Sequence, residues 1–465
     1  MREGSKVMKK VISLGIMTVL VCSLFGNNQS VSAAGASEVD YTDYAPGVTV
    51  EADPASPTGY YATFVYEDET SAATKVELYS DTFHHFTIKD GFENPYKPEN
   101  YKTGMFPAGG NSDTTYYLEL KKIGEDLWGG RVPLSSGAYP YNFRITNPDG
   151  STTARLDDPN NPTLTNTATG IQSVSSMVYI PYDRKIMGKG DWLDRSVELP
   201  RTDHKTGTVE TVAYTGAAGD TRGLAVYLPD GYNPNRKKPY KVLYMSHGMS
   251  GDRYGNELRW MNEGAVANIT DNLIADGKAE PFIVVTMNNQ DFNWDYKKIE
   301  EDQFEHIMPY VETNYNVYDT PEGRAYAGLS MGGMTTNRMY FNHADEFAYF
   351  GIWSYAVTGE ELSNIGSYSH LDDPSVMIGV GIWDYLIEPV QNLHNALNEE
   401  GIEHAYLEVP AAHDWKSWHL LYAAFVEDHL WKSDNGKEEK KKEKEKLKEE
   451  KEQEKQEKKH AKKKE

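Results

Sequence analysis

The chain has almost no cysteine: one residue, Cys22, in 465. Disulfide scaffolds and Cys-based zinc or iron–sulfur sites are thereby excluded. Long apolar runs are missing as well. The N-terminal one, Val11–Phe25, falls short of the ~20 residues that a membrane-spanning helix needs. Basic charge is scarce, with Lys+Arg 47 against Asp+Glu 70 and a net charge of −23. The deficit sits in the body, where residues 34–436 hold 59 acidic and 29 basic side chains. Such a surface repels phosphate backbones and anionic lipid, so neither nucleic acid nor a membrane surface is expected as a partner. What is present, 39% hydrophobic and 25% charged residues, fits a globular chain of two or three domains.

The two ends are special. Arg2, Lys6, Lys9 and Lys10 precede the apolar run, and Val31-Ser32-Ala33-Ala34 follows it. That layout predicts a secretory signal peptide over residues 1–33, cut near Ala33 or Ala34. A secreted protein without cysteine in its mature part fits a bacterial origin. A lipoprotein use of Cys22 is disfavoured by Val21, where a small residue is wanted. Residues 437–465 are almost wholly Lys, Glu and Gln and cannot bury a core. A solvated tail, disordered or helical, is expected there, with cell-wall attachment as the alternative.

Residues 45–160 read as β-structure. Tyr60–Tyr66, Lys75–Tyr79, Thr115–Leu120 and Tyr139–Ile145 alternate apolar and polar positions between Gly, Pro, Asn and Asp clusters. A small β-sandwich is expected. Residues 161–204 are poor in periodicity and read as a linker with one strand near Met177–Ile180. From 205 to 432 the pattern changes to strands interleaved with helices, which predicts an α/β domain with a mostly parallel sheet covered on both faces. Its strands are expected at Leu224–Tyr227, Lys241–Met245, Phe282–Met287, Tyr326–Gly328, Tyr349–Trp353, Val376–Val380 and Ala405–Val409. Helices are expected near Glu263–Ala275, Glu301–Tyr315, Met331–Asn342, Val390–Asn398 and Trp415–His429.

Chemistry concentrates in that second half. Gly328-Leu329-Ser330-Met331-Gly332 stands between a predicted strand and a predicted helix, the turn that presents a serine hydroxyl clear of its backbone. A serine nucleophile needs a histidine base and an acid to orient it. His413, after the Ala405–Val409 strand, and Asp384, after the Val376–Val380 strand, both fall at carboxyl ends of strands, where open α/β sheets place their ligands. His394, His404, His419 and His429 compete with His413 but read as surface or core residues. Asp372, Asp373 and Asp414 compete with Asp384 and fit less well by position. Backbone N–H groups must face the oxyanion. Met331, next to the nucleophile, and Met249, in Ser246-His247-Gly248-Met249-Ser250-Gly251, are the candidates, with His247 propping that loop. Trp260, Trp294, Trp383 and Trp415 are candidate platforms for a sugar or phenolic ring. Trp128 reads as core. No metal or organic cofactor is implied.

Residues 223–431 resemble the feruloyl and acetyl-xylan esterases of carbohydrate esterase family one, the esterase D-like α/β-hydrolases. The matching runs are Val226–Tyr232, His247-Gly248, Ala327–Gly333, Gly381-Ile382-Trp383-Asp384 and His413–Trp418. One departure is Ala412, where the family usually has glycine before the histidine. Residues 58–162 resemble the immunoglobulin-like early-set, carbohydrate-binding-like modules that often precede such esterases, on Gly59–Phe64, Trp128, Pro133–Tyr139 and Asp158–Pro162. The resemblance implies a serine esterase removing feruloyl, coumaroyl or acetyl groups from an acylated plant polysaccharide or oligosaccharide such as xylan. A siderophore trilactone esterase and a carbohydrate-binding protein on an inactive hydrolase scaffold are the alternatives.

The acidic body carries its own prediction. Self-repulsion destabilises a compact state at low ionic strength, and salt screens it over a Debye length of ~8–10 Å. The melting temperature is expected to rise between near-zero and a few tenths molar NaCl. A flat or falling melting temperature across that range would count against the idea.

Overall fold

The computed structural model describes residues 39–80, 82–86, 96–102, 105–108, 116–187, 193–250, 256–355, 362–368, 370–371 and 373–432. The signal peptide expected over residues 1–33, with Cys22, and Gly251, Asp372 and residues 437–465 lie outside the described residues.

The first half is β-rich. Its strands are β1 (Gly47–Ala52), β2 (Tyr60–Glu67), β3 (Lys75–Ser80), β4 (His84–Phe86), β5 (Phe106–Ala108), β6 (Tyr116–Glu119), β7 (Lys121–Lys122), β8 (Leu127–Pro133), β9 (Gly137–Thr146) and β10 (Thr152–Leu156). Two antiparallel sheets form, in the orders β1-β2-β8-β7 and β10-β9-β3-β6. Phe64, Val76, Leu78, Val132, Tyr141 and Phe143 point between them, as period-2 alternation dictates, and Trp128 packs in the same core.

The 161–204 segment is not a free linker. It holds the hairpin β11 (Thr165–Asn166) and β12 (Ile171–Gln172), and then β13 (Ser176–Ile180), which pairs with β9 from Ser176↔Tyr141 to Ile180↔Gly137. Polar bonds fasten the segment to the second half. Ser173 Oγ donates to Glu263 at 2.9 Å, Asn262 Nδ2 donates to the Ser175 carbonyl at 2.6 Å, and Thr167 N donates to Thr211 Oγ1 at 2.9 Å. Serine, threonine and asparagine do this work without apolar periodicity, so the sequence pattern reads as a linker.

The second half is one eight-stranded sheet: β14 (Thr208–Thr215), β15 (Thr221–Leu228), β16 (Val242–Ser246), β17 (Ile283–Met287), β18 (Arg324–Leu329), β19 (Tyr349–Trp353), β20 (Ser375–Gly381) and β21 (Ala405–Val409). Their order is β14-β15-β17-β16-β18-β19-β20-β21, parallel except where β14 and β15 enter antiparallel. Alternation sends Val242 and Tyr244 to one face and Leu243 and Met245 to the other. The first face is covered by α2 (Tyr296–Glu301), α3 (Met308–Asn314), α4 (Met331–Asn342) and α5 (Ile387–Glu399), the second by α1 (Val266–Ala275) and α6 (Trp415–Ala424). This is the α/β-hydrolase layout, preceded by a β-rich region. The helix expected at Glu301–Tyr315 starts earlier and carries a π segment, Asp302–Ile307. The buried Asp302 carboxylate there accepts from Tyr214 Oη at 2.5 Å and Ala217 N at 2.8 Å, tying the helix to the β14–β15 edge.

A buried ion pair closes the joint between the halves. Arg195 is 1% exposed and Glu198 0%, and two guanidinium N–H groups reach the carboxylate at 2.7 and 2.6 Å. Glu198 also accepts from Ala138 N at 2.9 Å, on β9, and lies 3.1 Å from His419 Nδ1, on α6. Burial pushes the Glu198 carboxyl up, but Arg195 and His419 outweigh it and hold its pKa down to about 2. A depressed carboxyl stabilises the fold above its unfolded pKa and loses that contribution as pH falls towards its folded one. Arg195→Met should cost about 3–5 kcal/mol in urea denaturation at neutral pH, because it strands a buried carboxylate. Glu198→Gln should blunt the loss of stability between roughly pH 4.5 and 2. An Arg195→Met protein as stable as the parent would refute this account of the joint.

Candidate active site

The turn from β18 into α4 carries Ser330 at φ +52, ψ −120, a backbone region costly for any L-residue with a side chain. Ser330 N donates to the Trp353 carbonyl at 3.0 Å, and its own carbonyl accepts from Met334 N at 3.0 Å, which hold the turn. Gly332 allows α4 to lie directly on the end of β16, since a Cβ there would strike the Ser246 and His247 carbonyl oxygens. The half-buried hydroxyl therefore stands at the carboxyl edge of the sheet.

The loops after β20 and β21 bring the partners. His413 Nε2 lies 3.0 Å from Ser330 Oγ, and His413 Nδ1 lies 3.0 Å from Asp384 Oδ2. Asp384 is 2% exposed, and its Oδ1 accepts Leu386 N at 2.8 Å, which fixes the carboxylate. A serine, an imidazole and a carboxylate in this chain can pass a proton from hydroxyl to ring while the ring's charge is compensated.

The competing residues are placed elsewhere. Asp414 caps α6, accepting Ser417 N at 2.9 Å and Ala412 N at 3.1 Å, so it shapes the His413 loop without facing the ring's Nδ1. Asp373 is exposed and pairs with His370 at 3.8 Å. His394 and His404 bond each other at 2.7 Å, His419 lies against Glu198, and His429 meets Ser375 Oγ at 3.1 Å. Ala412 is buried and is not among the residues with positive φ, so the methyl group in place of glycine is accommodated in ordinary backbone.

Met331 is the first residue of α4, and the first N–H groups of a helix have no intrahelical acceptor. Met249 lies on the loop after β16, its side chain 63% exposed. Three contacts brace that loop. Buried His247 lies 2.6 Å from the Gly248 carbonyl through Nδ1, its Nε2 accepts Asn289 N at 3.1 Å, and Ser250 N donates to Gln290 Oε1 at 2.6 Å. With Nε2 accepting, Nδ1 carries the proton and donates. Burial holds the His247 pKa down to about 3, so the ring is neutral and structural.

The tryptophan platforms need correcting. Trp260 is fully buried, donates to the Ser246 carbonyl at 2.9 Å and meets Trp353 and Trp415 edge-on, so it offers no face to a ligand. Trp415 and Trp383 are also buried, at 5% and 7% exposure, because the helix and loop that bear them turn the rings inward. Trp294 is half-buried, 5.6 Å from the His247 ring. The rings beside the base are others. Tyr385, 62% exposed, lies 4.6 Å from the His413 ring, and Trp418 meets it edge-on at 5.2 Å while donating to Ser354 Oγ. Tyr385 directly follows Asp384, and that adjacency was the available signal.

Residues 215–431 match the Esterase family model. Endo-1,4-β-xylanase Y of Acetivibrio thermocellus is 36% identical over 156 residues, 31% of this chain and 14% of that protein. An endo-1,4-β-xylanase/feruloyl esterase of Xylanibacter ruminicola is 30% identical over 249 residues, 50% of this chain and 31% of that protein. The chain thus spans less than a third of the length of either curated relative. The solved enterobactin esterase FES of Shigella flexneri is similar in fold, with a TM-score of 0.54 at 13% identity over 84% of this chain and 97% of that one. Residues 215–431 are thus similar to the esterase family, and one of the relatives is named in part as a feruloyl esterase.

Proposed function

We propose that the chain is a secreted serine esterase that removes feruloyl, coumaroyl or acetyl groups from plant cell-wall polysaccharide. The observation that carries this is the Ser330–His413–Asp384 chain of contacts, each link 3.0 Å. The polysaccharide reading is supported by the two relatives, both named as xylanases and one also as a feruloyl esterase. Secretion is supported by the leader-like residues 1–33.

Ser330 Oγ attacks the ester carbonyl as His413 Nε2 takes its proton, and the imidazolium that forms is compensated by Asp384. The oxyanion is met by the Met331 and Met249 N–H groups. His413 then returns the proton to the departing sugar hydroxyl, leaving an acyl-serine. Water attacks that ester, its proton passing to His413 and on to Ser330 Oγ as the free acid leaves. Tyr385 and Trp418 bound the imidazole on two sides and restrict its rotation between the two halves.

Rates on methyl ferulate, an aryl acetate and acetylated xylan, measured side by side, test the reading. Ser330→Ala, His413→Ala and Asp384→Asn should each lower kcat by roughly 10³-fold or more, because the three act as a unit. Inactivity of the parent chain on all three substrates would defeat the proposal. Asp414→Asn should cost about 1 kcal/mol of stability, because the amide NH2 cannot accept the second of the Ser417 and Ala412 N–H bonds, yet keep most of the activity. Near-native activity in Asp384→Asn with loss in Asp414→Asn would reverse the assignment of the acid.

A further inference from the structure

A cavity of about 490 Å³ opens where the β11–β12 hairpin meets the edge of the sheet. The hairpin contributes Ala168, Thr169 and Ile171, and the hydrolase side contributes Arg222, Glu257 and Asn288, with Asp220 and Asp291 at the rim. Its place relative to Ser330 follows from the register. Leu224 pairs with Met287, Met287 with Ser246, and Ser246 with Gly328, so the Arg222–Gly223 end of β15 stands on the same edge as the nucleophile. Three strand spacings separate them, roughly 14 Å.

The cavity is built, not a gap between loose loops. Arg222 is 4% exposed, with its guanidinium carbon 3.9 Å from the Phe292 ring centroid. It donates to Tyr214 Oη at 3.2 Å and to the Asn288 carbonyl, and lies 3.6 Å from each of Asp220, Asp291 and Asp302. Glu257 is 2% exposed and borders the cavity. Its Oε1 accepts Asn166 Nδ2 at 3.2 Å, and Gly223 leaves the room for that contact, since a Cβ there would strike both groups. Glu257 Oε2 has no side-chain partner among the described residues. Burial raises the Glu257 pKa.

The lining selects a ligand class. The acidic surplus of the body opposes anions. A metal cation would need carboxylates converging on one point, and here the Arg222 guanidinium already stands between Asp220 and Asp291. What remains is a mixture of hydroxyl, amide and carboxyl groups on a rigid frame, which suits a neutral ligand rich in hydroxyls. We propose that this cavity is a glycan subsite that takes neutral sugar units of the polysaccharide a few residues from the ester cleaved at Ser330. The inference rests on the esterase reading for the identity of the polymer. It gives the 161–204 segment a binding role, because three of the ten lining residues, Ala168, Thr169 and Ile171, come from the β11–β12 hairpin.

The full chain bearing Ser330→Ala is titrated calorimetrically with xylohexaose, mannohexaose and cellohexaose, and compared with the same chain bearing Ala168→Trp as well. Ala168 is exposed at the rim, so the indole plugs the cavity without entering a core. At least one hexaose should bind, and Ala168→Trp should weaken it tenfold or more. In the chain that keeps Ser330, Ala168→Trp should leave kcat/KM on methyl ferulate within twofold and raise KM on a feruloylated oligosaccharide. Equal affinity in the two titrated proteins, or no binding of any hexaose, would overturn the subsite. Binding of trilysine that Ala168→Trp abolishes, with no sugar bound, would overturn the ligand class. A parent chain inert towards methyl ferulate and aryl acetate would instead remove the esterase reading and leave the titration readable.

Discussion

Everything at the candidate site depends on one residue held in an unfavourable backbone state. A non-glycine at φ +52 costs of order 1–3 kcal/mol, and it persists only where its surroundings leave no alternative. Here the surroundings are the β19 carbonyl of Trp353, which takes the Ser330 amide, and the β16 carbonyls, which leave no space for a side chain at position 332. Three neighbouring strands thus converge on the elbow. The same convergence fixes the first turn of α4, whose leading N–H groups have no intrahelical acceptor, so presenting the serine hydroxyl and leaving donors free beside it are one structural event.

The base is controlled from further away. The His413 loop runs between Gly381, whose hydrogen lets the Ala411 and Ala412 carbonyls approach, and the α6 cap made by Asp414. Lys416, buried in the first turn of α6, donates to the Pro410 carbonyl at 2.6 Å and clamps the start of that loop. One turn on, His419 joins α6 to the Arg195–Glu198 pair and, through Ala138 N, to the β-rich half. The segment that carries the imidazole is therefore anchored by residues contributed by both halves of the chain.

Period and punctuation made much of this legible. Strands β16 to β21 are short, mostly apolar and bounded by turn residues, and the Ser330 turn sits where a strand pattern gives way to a helix pattern. The order Ser330, Asp384, His413 could then be read from strand ends alone. Burial direction could not. Trp260 and Tyr385 are both aromatic residues outside the regular elements, and only tertiary packing sends one inward against Trp353 and leaves the other over the imidazole. The 161–204 segment was opaque for a different reason. Its anchoring comes from Ser173, Asn262, Arg195 and Glu198, and buried polar pairs have no sequence period.

Those polar anchors carry a consequence for how the halves behave. A joint made of apolar surface alone would rest on contacts with little directional preference. A guanidinium bonded to a fully buried carboxylate has one geometry, and any displacement leaves charge unpaired in a medium that penalises it severely. Ala138 and Met177 add apolar contact from the β-rich half to the core beneath α1 and α6, but the register comes from Glu198, which bonds β9 and lies against α6 at once. The β11–β12 hairpin hangs from the same segment. Its position over Arg222 and Glu257 is therefore set by the joint, and the cavity beneath it keeps its shape for the same electrostatic reason that the two halves keep their relative placement.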